Sequence, residues 1–250
     1  YGVPVYDTVR EITERTRVDA SVITVPAAFA RDAAFEAIDA GIGLLVIVTE
    51  RIPRAEVAQI VEFAGMRGAR VIGPNCLSPG EAKVGGLGGR AEDARKAYMA
   101  GPVGVMSRSG GMTTEICNTL TAAGLGQSTA ISIGGDAIIG STYAELMPLF
   151  EADPQTKAIV IYSEPGGPME AQLAAYNRER RPRLPEVAFM AGRFMDEMPG
   201  MRFGHAGTIV EGRQDSAAEK IRRMEEAGIS VAEEISQIPA LVRQRMQEAG

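Results

Sequence analysis

The chain has 250 residues, 45% apolar, 23% charged and 5% aromatic, with a net charge of −6. Those proportions describe a soluble globular chain long enough for one large domain or two ordinary ones, and a disordered chain is not expected. Its 26 basic residues are scattered and only four are lysine, so no nucleic-acid face is expected.

The longest mostly apolar stretches, Gly41 to Val48 and Ala158 to Tyr162, fall well short of the roughly 20 residues that cross a bilayer, so no membrane span is expected. The opening YGVPVYDTVREITERTR lacks the basic-then-apolar order of a secretory signal, and Cys76 and Cys117 form no CxxC pair. A reduced intracellular compartment is expected. None of the lysines sits in a GxxxxGK[ST] loop, and a single histidine excludes sites that need two His ligands.

In chain order, β-rich apolar runs occur at Ser21 to Val25, Leu44 to Thr49, Ala69 to Ile72, Val103 to Met106, Ala130 to Ile133, Ala158 to Ser163 and Val187 to Ala191. Helical periodicity separates most of them, at Ala28 to Ala40, Arg54 to Arg67, Thr113 to Ala123, Tyr143 to Glu151 and Ala217 to Ala227. This alternation predicts α/β architecture with βαβ units and parallel sheets. The stretch 73–102 is rich in Gly and Pro without an obvious strand, so the domain boundary is expected there. Residues 1–100 then form a first α/β unit and 101–250 a second. The first unit has about three strands, few for a parallel sheet, and Tyr1 enters without a lead into a core, so upstream residues are expected to be missing. The chain closes with a strand and a helix.

Several strand ends carry residues suited to chemistry. RFGHAGTIVEG (202–212) sets His205 among small residues whose backbone N–H groups can approach an anion, a setting for a nucleophile or for a structural histidine at a turn. GVMSRSGGMTTE (104–115) runs from a strand through Ser107, Ser109, Gly110 and Gly111 into a helix, the form of an anion-binding helix start, with Arg108 adding charge. IGGDAIIGST offers Asp136 at another strand end, and YSEPGGPMEAQ releases Glu164 where a carboxylate could accept the N–H of a histidine. VPAAF, VTERIP and GPNC follow strands of the first unit and could line a cofactor crevice; Cys76 suits a reactive thiol or a small buried residue.

Together and in this order, SVITVPAAF, EAIDAGIGLLVIVTERIP, GPNCLSPGEAKVG, SRSGGMTTE, GQSTAISIGGD, FEADPQTKAIVIYSEPGG and FGHAGTIVEG resemble the α subunit of the succinyl-CoA synthetase family over nearly the whole chain. The resemblance implies a Rossmann-like CoA-binding domain, shortened at its N-terminus because family members begin with a Gly-rich CoA-phosphate loop, and then a flavodoxin-like ligase domain. It implies a ligase that joins a carboxylate to CoA through an acyl phosphate and a phosphohistidine. His205 matches the phosphorylated histidine and Glu164 the glutamate that orients it. Ser107, Ser109, Gly110 and Gly111 match the phosphate-binding helix start, and Thr114 a substrate-contacting position. Pro26, Val48, Thr49, Glu50, Asn75 and Cys76 match CoA-contacting segments.

The resemblance further implies a β partner, as α2β2 or αβ, holding ATP or GTP with magnesium. No metal ligand set is expected on this chain. The expected compartment is the cytoplasm, or the mitochondrial matrix in a eukaryote. SGGMTTE and Phe203 resemble ATP-citrate lyase and citryl-CoA synthetase, whereas Ala137 replaces the arginine that citrate-handling members place after IGGD. Succinate, citrate and malate all stay open as substrates, as does an inactive CoA-binding regulator.

Overall fold

A computed structural model describes residues 2–76 and 97–249. Its first part holds a parallel sheet of β1 (Ser21–Ile23), β2 (Leu44–Ile47) and β3 (Arg70–Ile72) in linear order. Helices α1 (Val9–Thr13), α2 (Ala27–Asp39) and α3 (Arg54–Arg67) accompany it. Apolar residues of α2 and α3 recur at helical spacing, so Ala30, Ala34, Ala37, Val57, Ile60 and Ala64 are buried in one core with Leu45, Ile47 and Val71.

The second part is a five-stranded parallel sheet of β4 (Ala100–Ser107), β5 (Gln127–Ser132), β6 (Ala158–Ser163), β7 (Glu186–Met190) and β8 (Ser230–Ala232). The spatial order β5-β4-β6-β7-β8 is that of a flavodoxin-like sheet. Helices α4 (Gly110–Ala122), α5 (Tyr143–Ala152), α6 (Met169–Arg180), α7 (Ala217–Glu226) and α8 (Ile238–Ala249) connect or follow the strands. All six residues of the central β6 are buried, as expected for a strand covered by helices on both faces.

The alternating pattern predicted from sequence is present, with informative differences. Strand β4 starts at Ala100, inside the Gly- and Pro-rich stretch read as strandless, because Val103 onward continues a ladder that irregular pairing at Ala100 begins. Helix α4 starts three residues before Thr113, at the point where Ser109 caps its first turn. Helix α6 went unrecognised: MEAQLAAYNRER has almost no apolar stripe, and its buried face includes Glu170 and Asn177. The segment 77–96, with the second half of GPNCLSPGEAKVG, lies outside the described residues.

The two sheets meet through their C-terminal edges. Val46, Ile72 and Cys76 share a core cluster with Met106, Ile133, Tyr143 and Ile161. Backbone bonds run from Gly140 N to Gly73 O (2.8 Å) and from Gly135 N to Asn75 O (3.3 Å), and the Ser141 hydroxyl donates to Val71 O (2.8 Å). Strand tips of both sheets therefore face one region, which is where open α/β sheets bind ligands.

Candidate functional site

Three loops at the β5-β4-β6 edge build the site: SRSGG after β4, IGGD after β5 and EPGG after β6. Strand order reverses between β4 and β6, so their loops diverge and leave a crevice. Glu164 stands at the tip of β6, with 8% of its surface exposed. The loop 198–212 lies across this edge, held by Gly207 N to Gly135 O (3.1 Å) and closed on itself by the antiparallel bridge of Arg202 with Ile209. Gly166 makes that crossing possible, since a Cβ there would lie 2.3 Å from Gly207 O.

His205 sits at the tip of this loop, and its Nδ1 lies 2.8 Å and 3.1 Å from the two carboxylate oxygens of Glu164. The Thr208 hydroxyl donates to the same carboxylate at 3.1 Å, and Thr208 N bonds back to His205 O. The imidazole lies flat against Gly135, where a Cβ would come within 2.3 Å of its Cγ. With Nδ1 committed to Glu164, Nε2 is the nitrogen left for a reacting group.

The hydrogen bond to Glu164 lifts His205 above the usual imidazole value, against burial and the charge of Arg108. Burial pushes the Glu164 carboxyl up, but His205, Arg108 and Thr208 together outweigh it and hold the group below the usual carboxylate value. The pair is thus biased toward imidazolium and carboxylate. Any added positive charge on this ring, phosphorylation included, meets an oriented counter-charge.

Two buried cations support the edge. Arg108, 1% exposed, donates to Gly166 O at 3.1 Å and packs beside Gly207, joining the SRSGG turn to the histidine loop. Lys220 on α7, 2% exposed, gives its three N–H groups to Glu164 O (3.0 Å), Gly166 O (2.6 Å) and the Glu170 carboxylate (2.6 Å). Glu170 also accepts from Ser163. The backbone carbonyls of Glu164 and Gly166 are therefore pinned from α7. Neither Lys220, Glu170 nor Thr208 was singled out from sequence; a lysine inside an amphipathic helix reads as solvated surface.

The other expected site residues distribute as follows. Ser107 and Ser109 bond each other, Ser109 N to Ser107 Oγ at 3.0 Å and Ser107 Oγ to Ser109 O at 2.8 Å, which shapes the turn into α4. Gly110 is buried and Gly111 exposed at the start of that helix. Thr114 sits one turn on, with its hydroxyl 3.2 Å from the Tyr98 hydroxyl. In the first sheet, Pro26 and Glu50 are exposed at the tips after β1 and β2, Val48 is half-buried, and the Thr49 hydroxyl ties the tips together through Val25 O (2.6 Å). Asn75, in the left-handed region, donates its amide to Asp136 at 3.1 Å. Cys76 is fully buried with its thiol 3.1 Å from Ile47 O, and burial raises its pKa to about 12. Its side chain is a packing group, so the alternative of a reactive thiol is set aside.

Two cavities flank the histidine. One of about 280 Å³ is lined by Glu164, Phe194, Phe203 and His205. The other, about 390 Å³, is bounded by Arg54, Arg108, Ala137, Gln172 and Gly207. Among the described residues no cluster of three or more His, Cys, Asp or Glu could hold a metal ion, and no helix is long and apolar enough to cross a membrane.

Comparison with known proteins gives this geometry a setting. The CoA binding domain family matches residues 1–51 and the CoA-ligase family residues 106–234. The α 1 subunit of the ADP-forming succinate–CoA ligase of Archaeoglobus fulgidus is 42% identical over 250 residues, spanning 99% of this chain and 82% of that protein. The corresponding subunit of Aquifex aeolicus is 40% identical over 242 residues, 95% of this chain and 76% of its own length. An ATP citrate lyase structure from Methanothrix soehngenii, in complex with citrate and coenzyme A, superposes with a TM-score of 0.90 at 26% identity, over 97% of this chain and 41% of that one. With a CoA-binding domain followed by a CoA-ligase domain, the chain belongs to the family of succinate–CoA ligase α subunits.

Proposed function

We propose that the chain, paired with a β subunit, joins a small carboxylate to CoA at the expense of ATP or GTP, with His205 as transient phosphoryl carrier. The observation that carries this reading is the 2.8 Å contact of His205 Nδ1 with Glu164 at the meeting edge of two parallel sheets. Glu164 holds a proton on Nδ1, so when the ring gives up its other proton the lone pair lies on Nε2. Nε2 attacks the phosphorus of an acyl phosphate, the P–N bond forms as the P–O bond to the carboxylate breaks, and the ring's new positive charge faces Glu164. In the direction of ligation the same nitrogen takes the γ-phosphoryl group of the nucleotide as the nucleoside diphosphate leaves, and the carboxylate oxygen then takes it from the ring, the P–N bond breaking and the imidazole leaving neutral. Positioning does most of the work in such transfers, and the pinning of Glu164 by Lys220 supplies it.

The fit of CoA to the first sheet rests on exposed Pro26 and Glu50 beside Thr49 at adjacent strand tips, where the coenzyme would supply the thiol that opens the acyl phosphate. The buried thiol of Cys76 does not fit a contact role. Nucleotide and magnesium are assigned to the β subunit, which accords with the missing GxxxxGK[ST] loop. The division into units near residue 100, an α2β2 or αβ assembly and a cytoplasmic setting belong to the same reading. Ser107 to Gly111 and Thr114 are assigned to phosphate and carboxylate binding on the α4 turn.

Succinate is the substrate favoured by the relatives' names. A citrate-handling reading has the ATP citrate lyase likeness in its favour, and Arg54 and Arg108 bound the 390 Å³ cavity, but Ala137 stands where the resemblance places the arginine of citrate-handling members. The test is nucleotide-diphosphate release by the α–β pair with CoA and succinate, citrate or malate. Succinate-dependent release that disappears in His205→Asn supports the proposal; release with none of the three, in an assembled pair, returns the inactive regulator.

A further inference from the structure

The cation at the tip of β4 has no counter-ion of its own. Arg108 is 1% exposed, makes no ion pair among the described residues, and its Nε is buried without an acceptor. Lys220, the other buried cation of this edge, is answered by Glu170 at 2.6 Å. A guanidinium cannot shed its proton inside a protein, so burial fixes a positive charge beneath the site instead of removing it. Folds rarely keep a buried ion in that state, and those that do concentrate it at functional sites.

The guanidinium lies between the loops of both partners in the histidine pair. One terminal nitrogen donates to Gly166 O at 3.1 Å, two residues beyond Glu164. The other packs on Gly207, two residues beyond His205, where a Cβ would come within 2.5 Å of it. Gly207 N in turn bonds to Gly135 O, on the loop against which the ring rests.

The charges acting on the ring come from three strand ends: Glu164 after β6, Arg108 after β4 and Asp136 after β5. Asp136 has the smallest effect of the three; its carboxylate accepts from the Asn75 amide and is also opposed by Arg54. Tyr143 and Tyr162, which face Glu164 and Arg108 from α5 and β6, are held neutral by burial. With the ring neutral, Glu164 balances Arg108 and Glu170 balances Lys220. A protonated ring sets a third cation against those two carboxylates. A phosphoryl group instead brings negative charge, which the guanidinium favours.

We propose that Arg108 is a positioning residue for the phosphoryl transfer: its fixed charge keeps a second proton off the imidazole, and its contacts with Gly166 and Gly207 hold the two loops together. This role rests on His205 as the phosphoryl carrier. It accounts for how a histidine that Glu164 draws toward the charged form stays a nucleophile.

The test is imidazole proton NMR titration of the full chain with Arg108→Gln, whose amide can still donate to Gly166 O, and Arg108→Lys, which keeps the charge. The His205 midpoint is expected to rise in Arg108→Gln, its proton affinity growing about threefold or more, and to stay near native in Arg108→Lys. In the assembled α–β pair, the pH profile of phosphate uptake from ATP or GTP by Arg108→Gln then moves to higher pH by the same amount, whereas a purely structural loss lowers uptake at every pH alike. An unchanged or lowered midpoint in Arg108→Gln, or an equal rise in both variants, overturns the role. Should Arg108→Gln not fold, the native chain decides. Its Arg108 Nε–H resonance, shielded from exchange by burial, is expected to move with the imidazole midpoint, and a resonance that stays flat across that midpoint overturns the role as well. These titrations need neither nucleotide nor partner, so failure of His205 to take up label removes the carrier reading while leaving the effect of Arg108 on the ring to be read separately.

Discussion

Replacing Glu164 by Gln changes one atom and removes the charge that His205 faces. In the native site both carboxylate oxygens lie within 3.1 Å of His205 Nδ1 and one accepts from Thr208, in a setting only 8% exposed. A hydrogen bond to a charged group contributes about 1.5–3 kcal/mol, and a glutamine that still accepts from Nδ1 retains part of it, so a loss of about 1.5 kcal/mol is expected. The sign with pH follows from the two shifts. His205 is raised, so its share of the stability is complete below 6.5 and fades as pH climbs through the raised value. Glu164 is lowered, so its share is complete above 4.5 and fades as pH falls through the lowered value. The two shares describe one interaction, and the stability gap between native and Glu164→Gln protein is widest between pH 4.5 and 6.5.

Because the chain has a single histidine, imidazole proton NMR reads its titration without assignment. The native midpoint lies above the ordinary value, and in Glu164→Gln it moves down. A midpoint that stays in place, with a stability gap that does not vary with pH, would refute the coupling of these two side chains.

Three other outcomes follow. Lys220→Met strands the buried Glu170 carboxylate and is expected to cost about 3–5 kcal/mol in urea unfolding; a loss under about 1 kcal/mol contradicts the buried network. Gly135→Ala drives a methyl group into the imidazole, so the histidine titration shifts toward that of an exposed imidazole and the stability tied to the Glu164 contact falls with it; an unaltered titration shows that the ring does not rest there. Cys76 is expected to resist iodoacetamide at pH 8 in the folded protein and to react on unfolding, as judged by mass spectrometry; prompt alkylation of the native chain contradicts its burial.

The site was legible where chemistry and chain geometry coincide. His205 interrupts a glycine-rich turn and Glu164 precedes one, and a lone imidazole with a strand-end carboxylate needs no tertiary knowledge to attract notice. Alternation of β-rich runs with helical periodicity was enough for parallel α/β architecture, and β6 was bounded to the residue because an unbroken apolar run ends at Ser163. What escaped is polar material buried by long-range contacts. Glu170 and Asn177 give α6 the look of a solvated segment, yet each answers a partner across the fold: Lys220 on α7 for one and Glu186 on β7 for the other. The Asn75–Asp136 bond between the two sheets joins residues 61 positions apart, a separation that no local pattern encodes.

Transfer of labelled phosphate from the γ-position of ATP or GTP to the assembled α–β pair tests the central claim most directly. The label is expected on the α chain, lost in acid and stable in alkali, mapped to the peptide containing His205 and discharged by a carboxylate with CoA. A label of the same size on the His205→Asn chain, or one that survives acid, would contradict it.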